Sequence, residues 1–140
     1  MSEARFSPYA ILSAREVVVL YYDALYSGNL SIVRELMTEK SYFMTLETFG
    51  LRLAFRDAEF KEQLGKIEED SASLVAVESR LSADLASRKP SPQIKIVSSS
   101  WNGNEGQTVE YTEEDKMKKL YLSKEENGWK INYYAGRKVD

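Results

Sequence analysis

The chain has 140 residues, a mass of 16.0 kDa and a net charge of −3, with 43% hydrophobic and 29% charged side chains. That length and balance fit one folded domain spanning residues 1–140. The absence of Cys and His excludes a disulfide framework, a thiolate nucleophile, Cys-ligated metal and imidazole proton transfer, and the acidic balance makes nucleic acid a poor partner.

The most apolar early stretch, residues 17–26, is interrupted by Asp23 and preceded by Arg15 and Glu16, unlike the uncharged core of a signal peptide. No run approaches the roughly 18 apolar residues that a membrane span needs. The expectation is a cytoplasmic protein with no membrane partner.

Ser13 to Glu16 has the form of a capping box, and Val17, Leu20, Tyr21, Ala24 and Leu25 recur at helical spacing after it. Gly28 is placed to end this helix in a left-handed conformation. Asn29 can cap the next one, whose apolar stripe is Leu30, Val33, Leu36 and Met37. Residues 41–46 read equally as a short strand or an apolar loop. A long helix is predicted over 46–64, although Gly50 weakens its start, and Gly65 marks a break. A further helix over 71–88 carries Leu74, Val77, Leu81 and Leu85, and Pro90 and Pro92 forbid its continuation.

Beyond Pro92 the pattern alternates. Strands are predicted over 94–101, 107–112, 117–123 and 129–134, joined at Asn102-Gly103-Asn104, Glu113-Glu114-Asp115 and Glu126-Asn127-Gly128. By period two, Trp129 and Ile131 face inward, while Tyr134 shares the outer face with Lys130 and Asn132. An exposed Tyr134 would suit a subunit interface, and a homodimer through that face is expected. Helices first and an antiparallel meander last give an α+β domain, its N-terminal helices closing the apolar face of the sheet.

Two segments resemble the nuclear transport factor two-like superfamily, which includes ketosteroid isomerases and SnoaL-like polyketide cyclases. Residues 17–30, VVVLYYDALYSGNL, are similar to its opening helix and small-Gly-Asn corner. Residues 122–131, LSKEENGWKI, are similar to its closing hairpin, in which Gly precedes Trp-x-Ile. The resemblance implies a cystatin-like, cone-shaped α+β barrel: a curved antiparallel sheet around a long helix. The middle of the chain departs from that pattern by supplying an extra helical segment. The superfamily includes isomerases, cyclases, dehydratases, transport adaptors and ligand-binding modules, so the resemblance implies no single function.

Tyr21 lies seven residues before Gly28, a place that resembles the oxyanion-stabilising tyrosine of the isomerases. It can equally be a packed tyrosine on a helix face. The isomerases' base position falls near Thr45, and threonine cannot take a proton from carbon. Glu47, two residues on, is the one substitute, and it reads more simply as a solvated helix residue. The aromatics have two readings: core filling, or the wall of an apolar pocket, with Tyr21, Phe43, Phe49, Trp129 and Tyr133 as its candidates. The lysines at 116, 118 and 119 alternate with acidic residues and read as a solvated face. No phosphate loop or calcium-loop spacing is present, so neither metal nor cofactor is expected. The sequence points to a non-catalytic domain binding a small apolar ligand or a protein. The alternative is an isomerase, cyclase or dehydratase acting on a carbonyl compound through a tyrosine donor and a carboxylate base.

Overall fold

The capping box at Ser13 forms as its spacing requires. The Glu16 amide donates to Ser13 Oγ at 3.2 Å, and the Ser13 amide donates to Glu16 Oε1 at 2.8 Å. In the computed structural model, which describes residues 8–88 and 91–135, helix α1 runs from this cap over Ala14–Tyr26. Its stripe of Val17, Val18, Tyr21, Ala24 and Leu25 is buried. Gly28 follows with φ +77, and a Cβ there would stand 2.5 Å from the Ser82 carbonyl oxygen. Only glycine satisfies both the turn and this close approach. Asn29 then caps α2, Leu30–Glu35, through the Ile32 amide.

Residues 41–46 are neither strand nor loop. They belong to α3, Glu39–Arg56, capped by Thr38. Ser41, Tyr42, Thr45 and Leu46 are its buried residues at this end, a helical period partly written in polar side chains. The single helix expected over 46–64 is two helices, because Asp57 leaves the helical conformation (φ −138, ψ 109) and starts α4, Ala58–Leu64. Its Oδ1 accepts from the amides of Glu59 and Phe60 at 3.0 and 3.2 Å. Helix α5 covers Ser71–Ala86 and buries Val77, Leu81 and Leu85.

Four antiparallel strands follow: β1 Ile94–Trp101, β2 Gly106–Glu113, β3 Lys116–Glu125 and β4 Gly128–Ile131, paired in chain order as one open sheet. The β2–β3 hairpin turns on Glu114 and Asp115, both left-handed at φ 51 and 70, as a two-residue turn requires. A bulge at Val97 shifts the β1 register between Ile96 and Ser98. Val109, Tyr111, Leu120, Leu122 and Ile131 point from the sheet into the core formed with the helices. The described residues therefore form an α+β arrangement, with five helices and an open four-stranded sheet among them.

The last strand differs from expectation. β4 stops at Ile131, since the Ile131 amide donates to the Leu36 carbonyl at 2.8 Å and the Thr38 amide donates to the Ile131 carbonyl at 3.0 Å. The chain then turns over 133–135. Tyr134 consequently does not share the outer sheet face with Lys130. It lies against α3, its ring 4.9 Å from Lys40 Nζ and its hydroxyl 3.9 Å from Met44 Sδ. Trp129 is half-buried rather than interior and meets Trp101 edge to face at 5.5 Å; Ile131 and Leu122 are the fully buried pair of this hairpin.

Candidate functional site

The interior beneath α1 holds a line of hydroxyl groups drawn from three elements. Tyr21 comes from the buried stripe of α1 and is 2% exposed. Its hydroxyl is 3.1 Å from the hydroxyl of Tyr133, in the turn after β4. Tyr133 also meets Thr45 Oγ1 of α3 at 3.0 Å, and Thr45 lies 3.4 Å from Met37 Sδ. Ser41, one turn before Thr45, fixes the backbone of this turn by accepting from the Tyr133 amide at 2.9 Å. Three elements thus converge because α3 places two small hydroxyl residues, four apart, on the side that faces the closing turn.

A second tyrosine pair lies beside the first. Tyr22 and Tyr111 share a hydroxyl contact of 2.6 Å, and the Tyr22 ring touches those of Tyr21, Tyr26 and Tyr111. Burial raises the pKa of Tyr21 well above its ordinary value of 10.0, reinforced by the Tyr133 phenol. Burial likewise raises that of Tyr22 and pushes Tyr111 up to about 12. All three phenols are neutral donors and acceptors at neutral pH. A third contact, Tyr42 Oη to Glu78 Oε2 at 2.6 Å, joins α3 to α5, with Arg34 3.8 Å from the same carboxylate.

Of the residues singled out from the sequence, the structure brings Tyr21 and Tyr133 into direct contact. Phe49 lies 6.3 Å from Tyr26 and beneath the Arg88 guanidinium. Phe43 packs beside Tyr42 at 6.1 Å, and Trp129 stands with Trp101 at the far end of the sheet. Glu47 is exposed on the outer side of α3. Ser41 was missed by sequence reasoning, and Thr45, noted there only as a threonine at the isomerases' base position, was not seen as a partner of Tyr133. Their signal was a pair of hydroxyl residues in i, i+4 spacing, interleaved with Tyr42 and Leu46, which reads as a buried helical stripe once a helix is assumed.

Clefts of about 370 and 240 Å³ run along the outer side of α1; Val19 and Asp23 line both, and Ile94 lines the second. Another of about 490 Å³ lies between α2 and α5, and one of about 220 Å³ is lined by Leu51, Ala54, Phe55 and Lys61. None of these four includes Tyr21, Thr45 or Tyr133. Among the described residues no buried side-chain nitrogen or oxygen lacks a hydrogen-bond partner. No group of three acidic side chains among them is placed to hold a metal ion, and no helix among them is long and apolar enough to cross a membrane. The chain matches no protein-family model, no curated protein and no solved structure.

Proposed function

We propose that this chain is a non-catalytic protein-binding domain of the nuclear transport factor two-like type, its cone closed by its own side chains. The observation that carries this reading is the Tyr21–Tyr133–Thr45 line. The hydroxyl that the resemblance offers to a ligand or an enolate is already bonded to another phenol, and that phenol to a threonine. A hydroxyl engaged and enclosed in this way must give up or rearrange a buried hydrogen bond before it can serve a ligand. The position that the resemblance gives to the isomerase base holds Thr45, and Glu47 lies outside, so among the described residues neither offers Tyr21 a carboxylate partner to accept a proton from carbon. The apolar side chains left for recognition are on the surface, including Leu51 and Phe55 on the outer face of α3. In this reading the partner is a protein met in the cytoplasm.

The test is a binding scan of the intact chain against steroids, fatty acids and polycyclic aromatics, with turnover of a β,γ-unsaturated ketone followed in parallel. The reading predicts neither saturable binding nor turnover. A ligand bound saturably and weakened about two- to tenfold by Tyr21→Phe would return the interior to a binding site. Turnover abolished by the same change and by Glu47→Gln would make the chain an enzyme.

A further inference from the structure

The two edges of the sheet are treated differently. The β4 edge is four residues long and is closed by backbone bonds to Leu36 and Thr38. The β1 edge is eight residues long and has no strand beside it among the described residues. Gln93 and Asn102 turn their backbone groups toward β2, bonding Glu114 and Gly106. By the alternation of an antiparallel ladder, interrupted once by the bulge, Ile94, Ile96, Ser99 and Trp101 turn theirs to the open side. These four also carry the side chains on the helix-facing side of the sheet, since Ile96 pairs with Tyr111, Ser99 with Val109, and Ser99 Oγ accepts from Arg15 Nε at 2.9 Å.

This arrangement is symmetric about the bulge. Residues 94 and 96 on one side mirror 101 and 99 on the other, about a point between Val97 and Ser98. We propose that the β1 edge pairs antiparallel with β1 of a second copy of this chain about that point, joining two sheets into one of eight strands. In this register Ile94 meets Trp101 of the second copy, and Ile96 meets its Ser99. Each is a narrow pair exchanging two backbone bonds, roughly eight in all across the dyad. Val97, the extra residue of each bulge, falls opposite Ser98 of the second copy, so the two bulges offset each other and no slip accumulates. Every inward side chain meets an inward one, and every outward one an outward one. Lys95 is the one charged residue on β1, and it falls opposite Ser100, so no like charges meet.

The helix beside the edge has the matching symmetry. Arg15 is anchored to Ser99, while Val19, Tyr22 and Asp23 line one cleft with Ile94, so α1 runs antiparallel to β1. Four residues of helix advance about 6 Å. The step from Ser99 to the dyad is about 5 Å. Val19 therefore lies level with the dyad, and Arg15 of each copy is brought toward Asp23 of the other. Pairing also covers apolar surface left open in one copy: Val19, Val97 and Trp101 are 42%, 50% and 62% exposed. The inference does not rest on the reading of the interior.

Lys95→Cys/Ser100→Cys tests the register in a chain that has no other cysteine. The two sites lie five residues apart on one strand, about 16 Å, too far to join within a copy. Across the dyad they form a wide pair at disulfide distance. The proposal predicts a particle of twice 16.0 kDa by light scattering at micromolar concentration. It also predicts a covalent dimer on mild oxidation of the double variant, and none from Lys95→Cys alone. Ser99→Pro removes an outward amide without touching the β2 ladder. It should weaken dimerisation about tenfold or more with an unchanged circular dichroism spectrum. Both cysteine sites carry outward side chains, so the cross-link result does not depend on how the proline folds. A 16.0 kDa particle at all concentrations overturns the proposal, as does a dimer that the double variant fails to cross-link.

Discussion

Removing one hydroxyl from the interior line should cost different amounts at its two phenols. Tyr21→Phe deletes the end of the line. Tyr133 keeps Thr45 as a partner, and no buried polar atom is orphaned, so the loss is that of one net hydrogen bond, about 0.5–1.5 kcal/mol. Tyr133→Phe deletes the middle. It takes a partner from Tyr21, which is fully buried, and from Thr45 at once, leaving the two only the weaker contact by which Thr45 acts on the Tyr21 hydroxyl. Leaving buried donors poorly satisfied raises the loss to about 1–3 kcal/mol. The double variant should then lose less than the sum of the two, because the hydroxyl that Tyr133→Phe strands on Tyr21 is itself removed. A coupling of about 0.5 kcal/mol or more is expected for residues in one network. Equilibrium urea denaturation of the four proteins, with equal slopes, reads all three quantities. A smaller loss for Tyr133→Phe than for Tyr21→Phe, or additivity of the two, would refute a closed line with Tyr133 at its centre.

Gly28→Ala should destabilise by about 2–4 kcal/mol in the same assay, since it combines a left-handed backbone with a Cβ 2.5 Å from the Ser82 carbonyl; a loss under 1 kcal/mol would mean that α5 yields there. Ile131→Ala should cost about 2–5 kcal/mol and exceed Trp129→Ala, because Ile131 is fully buried and Trp129 keeps one side against the exposed Trp101. Tyr21, Tyr22 and Tyr111 have folded pKa values above the unfolded 10.0, so they keep their protons in the native state where the unfolded chain releases them. Their contribution is complete below pH 10 and is lost as pH rises through the folded values, so thermal stability should fall above pH 10 as tyrosinate absorbance appears. Asp57 is shifted the other way, first by the Arg80 hydrogen bond. Its contribution is present above pH 3.8 and is lost as pH falls through the lower folded value; Asp57→Asn should flatten that acid limb of the unfolding profile.

Local chemistry decided how much could be seen beforehand. The capping box at Ser13 and the Gly28–Asn29 corner were legible because each depends on side chains a few residues apart. β1 was bounded at Ile94 and Trp101 by Pro92 and by the Asn-Gly turn. The start of α3 was not legible, because its buried face is written with Ser41 and Thr45, polar residues whose partners lie near the other end of the chain. Asp57 fell inside the single helix expected over 46–64; its role as a cap depends on its own extended backbone and on Arg80, 23 residues away. The early end of β4 follows from its bonds to Leu36 and Thr38, a pairing that no alternation within residues 128–134 records. In the candidate site, Tyr21 was visible through its helix stripe. The contact with Tyr133 was not, since it spans 112 residues.

The most direct test of the closed interior is the Tyr21 hydroxyl proton itself. In a filled core, shielded by Tyr133 and Thr45, it exchanges slowly with water. Nuclear magnetic resonance of the tyrosine-labelled protein should show a resolved hydroxyl resonance for Tyr21, with cross-relaxation to Tyr133 and Thr45 and none to water. A resonance lost to fast exchange, or cross-relaxing to water or to a co-purified molecule, would show an open cavity at the centre of the domain.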